Sequence, residues 1–225
     1  MQRRQTADFG ARAESRRMGV ARSGVRICLL NHCYKITAEL FAIWLRLLES
    51  VDGSVLWLLE AHPTAARNLA REAEKQGIAP ERLVFAPLVA TDAHLARVSL
   101  ADLFLDTLPY NAHTTASDAL WAGVPVLTCL GSTFAGRVAA SLNNAIGVPE
   151  MVTYSLGEYE ALALKLAREP AALWAIRAKL AKNRNTFPLF DTVGFTRGLE
   201  AAYRTMWERA NRGETPASFA VERVR

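Results

Sequence analysis

Cysteine is scarce in this sequence, and its three copies (Cys28, Cys33 and Cys129) stand apart with no CxxC pair among them. An odd, scattered set excludes a disulfide framework and points to a reducing compartment, the cytoplasm. Cys28 and Cys129 fall in apolar runs, where a thiol behaves as a small hydrophobe. Long apolar runs are missing as well. None reaches the roughly eighteen residues needed to cross a bilayer, so no membrane partner is expected. The Arg-rich start has no apolar stretch after it, which excludes a secretory signal and leaves only the weaker analogy of an organelle transit peptide. Neither GxGxxG nor a Walker motif occurs, and GxSxG is absent too, which removes the common glycine-rich phosphate loops and the nucleophile elbow. The four histidines (32, 62, 94 and 113) fit no HxxxH or HExxH spacing and have no Cys or acidic cluster beside them, so no metal is expected.

The net charge of +5 is unevenly placed. Residues 1–26 hold seven arginines (3, 4, 12, 16, 17, 22 and 26) against Asp8 and Glu14, so the rest of the chain balances 20 basic with 20 acidic residues. A nucleic-acid surface needs a basic patch on the folded body, and a short Arg-rich segment reads more simply as a solvated tail. Residues 1–24 are therefore expected to form a disordered tail, 25–212 the folded unit, and 213–225 a frayed end. With 51% hydrophobic residues, the folded unit can bury the core of an ordinary α/β domain.

That unit alternates apolar runs with amphipathic stretches. Strands are predicted at 25–31, 55–59, 82–87, 102–106, 125–129 and 150–154. Helices are predicted at 37–53, 63–76, 92–97, 115–122, 133–144, 156–168, 170–185 and 192–211, with Gly77 and Gly123 just past two of their ends. Continuously apolar strands separated by helices argue for a Rossmann-like parallel sheet flanked by helices, with additional helices at the C-terminal end. In such sheets ligands bind outside the carboxyl ends of the strands. The polar clusters 31–35, 87–97 and 108–118 all follow strand ends and should meet at one edge.

Three loops would thus supply His32 and Lys35; Thr91, His94 and Arg97; and His113, Thr114, Thr115 and Asp118. A cation, hydroxyls and a helix N-terminus suit a diphosphate, and a carboxylate suits ribose hydroxyls. Backbone groups of 88–90 can read a base edge. Blander readings sit beside these. Thr115 and Asp118 have the spacing of a capping box, Lys35 can be an ordinary surface lysine, and His94 with Arg97, one turn apart, can be a solvated helix face.

The run Asn111-Ala112-His113-Thr114-Thr115-Ala116-Ser117-Asp118-Ala119-Leu120-Trp121-Ala122-Gly123-Val124-Pro125 closely resembles the catalytic region of the O-linked N-acetylglucosamine transferase (SPINDLY-type) family. So do Tyr34–Thr37, Ser54–Leu59, Arg137–Ser141 and Pro188–Asp191, in the family's order. Bacterial members look most similar. The resemblance spans about residues 27–217 and covers only the C-terminal lobe of the two-lobed GT-B arrangement; residues 1–24 align with nothing in it. It implies a donor-binding lobe of a protein O-glycosyltransferase that moves N-acetylglucosamine from UDP-GlcNAc to Ser/Thr hydroxyls, with no cofactor beyond the donor substrate. Lys35 would contact the diphosphate and stabilise the leaving UDP. His113, Thr114 and Thr115 would hold the phosphates, Asp118 the ribose, and Val89 and Arg97 the uracil, with His94 lining the same pocket.

Two positions depart from the pattern: Thr91 stands where animal members carry a lysine near the ribose, and His32 where an amide is usual. The implied partners are an acceptor protein or peptide and the amino-terminal lobe or repeat domain that the resemblance does not cover. Two alternatives remain open, a non-catalytic nucleotide-binding fragment and a protein O-fucosyltransferase using GDP-fucose.

Overall fold

The structure, a computed structural model, describes residues 24–222. The tail expected over residues 1–24 lies outside the described residues apart from Gly24, as does the end of the stretch expected to fray. Residues 213–222 carry neither helix nor strand. Six strands, β1 (Arg26–Leu29), β2 (Val55–Leu59), β3 (Leu83–Ala86), β4 (Leu103–Leu105), β5 (Val126–Cys129) and β6 (Val152–Thr153), form one parallel sheet in the order β3-β2-β1-β4-β5-β6. Cys28 pairs with Trp57 on one side and with Phe104 on the other. The order therefore reverses between β1 and β4, the topological switch point at which doubly wound folds open a crevice.

Helices pack on both faces of the sheet: α1 (Ala38–Ser50), α2 (Pro63–Lys75), α3 (Thr91–Val98), α4 (Thr114–Trp121), α5 (Val138–Ala145), α6 (Leu156–Arg168), α7 (Pro170–Asn183) and α8 (Thr192–Asn211). The strands are almost wholly buried because both faces are covered. Trp44, Trp57, Phe104 and Tyr159 are the bulkiest of the fully buried side chains. Thr37 caps α1 by accepting the Leu40 N–H at 3.3 Å. Gly77 and Gly123 end α2 and α4 in the left-handed region (φ 78° and 81°), where a side chain would be strained.

Three expectations need correction. The predicted helix over 133–144 is a 3-10 turn, Phe134–Gly136, followed by α5. Thr133 accepts the Gly136 N–H, which closes that turn and makes the helix start again after Arg137. The strand expected over 150–154 shrinks to two residues behind another 3-10 turn, Pro149–Met151. Finally, Thr115 does not open α4. The N-cap is His113, with no side-chain cap bond, and Thr115 lies inside the first turn.

Candidate functional site

The crevice at the switch point is a cleft of about 530 Å³. All ten residues singled out from the sequence line it: His32, Lys35, Val89, Thr91, His94, Arg97, His113, Thr114, Thr115 and Asp118. They arrive from the loops after β1, β3 and β4, which the parallel sheet brings to one edge.

The β4 loop forms the centre. It leaves β4 at Asp106 and folds back so that the Ala112 N–H meets the Asp106 carboxylate, and its own side chains fold it up. Thr107 Oγ1 donates to the Tyr110 carbonyl at 2.7 Å, and Asn111 Nδ2 donates to the Thr107 carbonyl at 2.7 Å. The Thr115 hydroxyl reaches back across the switch point to donate to Asn31 Oδ1, and Asn31 Nδ2 donates to Thr107 Oγ1 at 3.4 Å. Thr115 thus ties α4 to the end of β1 from within the helix's first turn. The first turn of α4 carries no acidic side chain, so its positive dipole end is not answered by a carboxylate of that turn.

Lys35 sits opposite, on the 3-10 turn Cys33–Lys35 after β1. It is half-buried. Its Nζ donates to the Asn111 carbonyl at 2.8 Å and lies 3.8 Å from the Tyr110 ring centroid. Burial pushes its pKa below that of an ordinary lysine, and Asp106 partly offsets the shift.

The β3 loop supplies the third wall. Arg97 is only 3% exposed. Its Nη1 donates to the Pro87 carbonyl at 2.6 Å, and its Nη2 lies 3.2 Å from His94 Nδ1. A guanidinium only donates, so Nδ1 is the acceptor and a neutral His94 carries its proton on Nε2. Burial and then the Arg97 charge push the His94 pKa down, which favours that neutral ring. The solvated-face reading of this pair therefore fails at Arg97, which is a buried brace for residues 87–90. Asp118, half-buried, is pushed up by burial, with His94 acting the other way.

Sequence reasoning missed several residues here. Asn31, Tyr34 and Tyr110 also line the cleft, and the rings of His32, Tyr34, Tyr110 and His113 follow one another along it and on to Phe134 beyond its lining, at centroid spacings of 5.1 to 6.4 Å. Asn31 and Asp106 had a usable signal, since each is the first polar residue after an apolar strand. Of the row of rings only His32 and His113 were singled out; the stacking of the others with them had no signal, because its members come from three separate loops.

Over residues 11–199 the chain matches Glycosyl transferase family 41. The match reaches back into the segment that aligned with nothing in the sequence reading. The chain is 38% identical over 192 residues to an Arabidopsis thaliana protein described as a probable UDP-N-acetylglucosamine--peptide N-acetylglucosaminyltransferase SEC, covering 85% of this chain and 20% of that one. It is 35% identical over 197 residues to the Hordeum vulgare protein described as the corresponding probable SPINDLY enzyme, covering 85% of this chain and 21% of that one. Among solved structures, a mutant Thermobaculum terrenum O-GlcNAc transferase superposes with a TM-score of 0.80 at 33% identity, over 86% of this chain and 38% of that one. The chain thus spans about a fifth of the length of these curated relatives. With its sheet order, its switch-point cleft and the match running through both, this chain belongs to glycosyl transferase family 41.

Proposed function

We propose that this chain is the donor-binding lobe of a protein O-glycosyltransferase that uses UDP-N-acetylglucosamine and acts on Ser/Thr hydroxyls. The observation that carries this reading is the convergence of Lys35, His113, Thr114 and Thr115 on the N-terminal end of α4 inside one cleft. In this reading the diphosphate lies between Lys35 and that helix end. The Asp118 carboxylate takes ribose hydroxyls, and the base rests against the 87–90 segment that Arg97 braces.

The chemistry follows from where charge develops. As the glycosidic bond breaks, negative charge grows on the β-phosphate. A positioned ammonium with helix N–H donors stabilises that charge more than it stabilises the intact donor. Lys35 supplies the positive charge, so the reading requires no metal. An acceptor protein or peptide and an amino-terminal lobe that deprotonates its hydroxyl are the partners this reading implies.

Thermal melts with UDP, UDP-GlcNAc, GDP and GDP-fucose test it. A ligand at about one hundred times its Kd stabilises the native state by about 2.7 kcal/mol, which raises Tm by about 5–10 °C for a chain of this size. The uridine ligands are expected to produce that shift and the guanosine ligands are not. A shift with GDP alone moves the reading to the fucosyl donor, and no shift with any of the four overturns it.

A further inference from the structure

The structure assigns to Asp106 the role of positioning residue for the diphosphate, acting through the loop it anchors and through Lys35, without touching the ligand. The inference rests on the donor-binding reading above.

Asp106 is 1% exposed and lies beneath the cleft, at the carboxyl end of β4 where the sheet order reverses. One carboxylate oxygen accepts the Ala112 N–H, and the other accepts the Thr128 hydroxyl at 2.6 Å. Its main-chain carbonyl accepts the Tyr159 hydroxyl at 3.0 Å, and Trp44 Nε1 donates to that same hydroxyl at 3.2 Å. Strand β5 and helices α1 and α6 therefore all fix this one residue, which in turn holds both ends of the 106–112 excursion. Ala112 immediately precedes His113, the N-cap of α4, and the Asn111 carbonyl receives Lys35. A shift at Asp106 therefore moves both walls of the proposed phosphate site together. A carboxylate that only filled the core would be replaced by an apolar side chain at little cost. Here the acceptor holding the Ala112 N–H would be lost as well.

The same placement puts an ionisable group behind the phosphates. Burial pushes Asp106 up to about 7, against the pull of its hydrogen-bond donors and of Lys35. The titratable groups facing it are Lys35 on the turn after β1, Cys129 on β5 and Tyr159 on α6. Burial pushes the thiol and the phenol upward, away from neutral pH. Ionised Asp106 brings negative charge behind the Ala112 N–H and competes for Lys35, so it opposes the diphosphate.

Calorimetric titration of UDP into the parent, Asp106→Ala, Asp106→Leu and Asp106→Asn chains tests the assignment. Ala removes the acceptor for Ala112, and UDP affinity is expected to fall by about tenfold or more in the folded protein. Asn keeps an oxygen for Ala112 and is expected to restore affinity to within about threefold at pH 6, since a kept hydrogen bond avoids that loss. The ratio of parent to Asn dissociation constants should then rise by about threefold or more towards pH 8, as only the parent ionises. Taking the ratio cancels the titration of UDP itself.

A folded Asp106→Ala chain that binds UDP like the parent overturns the assignment, as does a folded Asp106→Leu chain that does so, the arm that serves if Asp106→Ala does not fold; a flat ratio overturns the charge effect behind the phosphates. Each of these results leaves the donor reading standing provided the parent binds UDP. A parent that gives no heat with UDP overturns both.

Discussion

Lys35 is held ready without being neutralised. Its neighbours are a carbonyl and an aromatic face, and among the described residues it forms no ion pair, Asp106 acting on it only through its field, so an arriving diphosphate meets an ammonium without a direct counter-charge. Replacing Lys35 with Ala should weaken UDP binding by about tenfold to a hundredfold, the range for a charge-assisted hydrogen bond. The melting temperature should change little, because the side chain is half-buried and its bond to Asn111 is a single polar contact. Burial lowers the Lys35 pKa, so its charge is lost at a lower pH than for an ordinary lysine. UDP affinity of the parent should therefore decline on the alkaline side, and the Ala variant should lack that decline; titrations across the range check both.

Asp106 makes the complementary prediction for stability. Its folded pKa, about 7, lies above the ordinary value of 3.8. A raised carboxyl favours the protonated form in the fold, so its contribution is fully present below about pH 4 and is lost as pH rises through about 7, at most about 4 kcal/mol over that window. Urea unfolding of the parent at a series of pH values should show this decline relative to Asp106→Asn, and parallel curves would refute it.

At the scale of elements, the β3–α3 connection is the part of the cleft most dependent on one side chain. Residues 87–91 are all exposed, and buried Arg97 holds them through the Pro87 carbonyl. Arg97→Lys keeps a charge but cannot reach that carbonyl and His94 with a fixed fork. The substitution should cost about 1–3 kcal/mol for the groups left unpaired and should speed amide exchange through residues 87–91, with UDP affinity reduced several-fold. Unchanged exchange there would show that the segment holds itself.

The contrast between α4 and α6 shows what sequence spacing does and does not reveal. Ser155 and Glu158 have the capping-box spacing and do cap α6: the Ser155 hydroxyl accepts the Glu158 N–H at 3.1 Å, and the Glu158 carboxylate reaches back one residue beyond the N-cap to accept the Tyr154 N–H at 2.8 Å. Thr115 and Asp118 have the same spacing and form no cap, because the helix already begins at Thr114 with His113 as its N-cap, and the Thr115 hydroxyl donates instead to a tertiary partner, Asn31. The strands and helices were legible from apolar period and from Gly77 and Gly123, since those are local signals. The convergence of three loops followed from the parallel topology. The burial of Arg97 and the anchoring by Asp106 were not legible, since both depend on which long-range groups happen to face them.

Across the whole molecule, the parallel sheet with α1–α7 supplies the core, whereas α8 stands apart from it. None of its 20 residues is buried. It presents Phe195, Tyr203, Met206 and Trp207 at 53–70% exposure. An amphipathic helix normally gains its stability by burying such a face, and among the described residues this one is left uncovered. Its first turn is secured by Asp191, which accepts the Gly194 N–H at 2.9 Å, and its last by the Gly213 turn (φ 70°). The helix is therefore specified locally and adds little to the cooperative unit. Phe195→Ser and Trp207→Ser should each shift Tm by less than about 2 °C, because surface substitutions away from buried contacts usually stay within about 0.5 kcal/mol. Substitution at a buried ring of the sheet should behave oppositely. Trp57, fully buried on β2, should cost about 3–5 kcal/mol as Ala, enough to unfold a marginal domain. If Trp207→Ser lowered Tm as much as a core truncation does, α8 would be packed against the lobe in solution, and its separation from the cooperative core would be wrong.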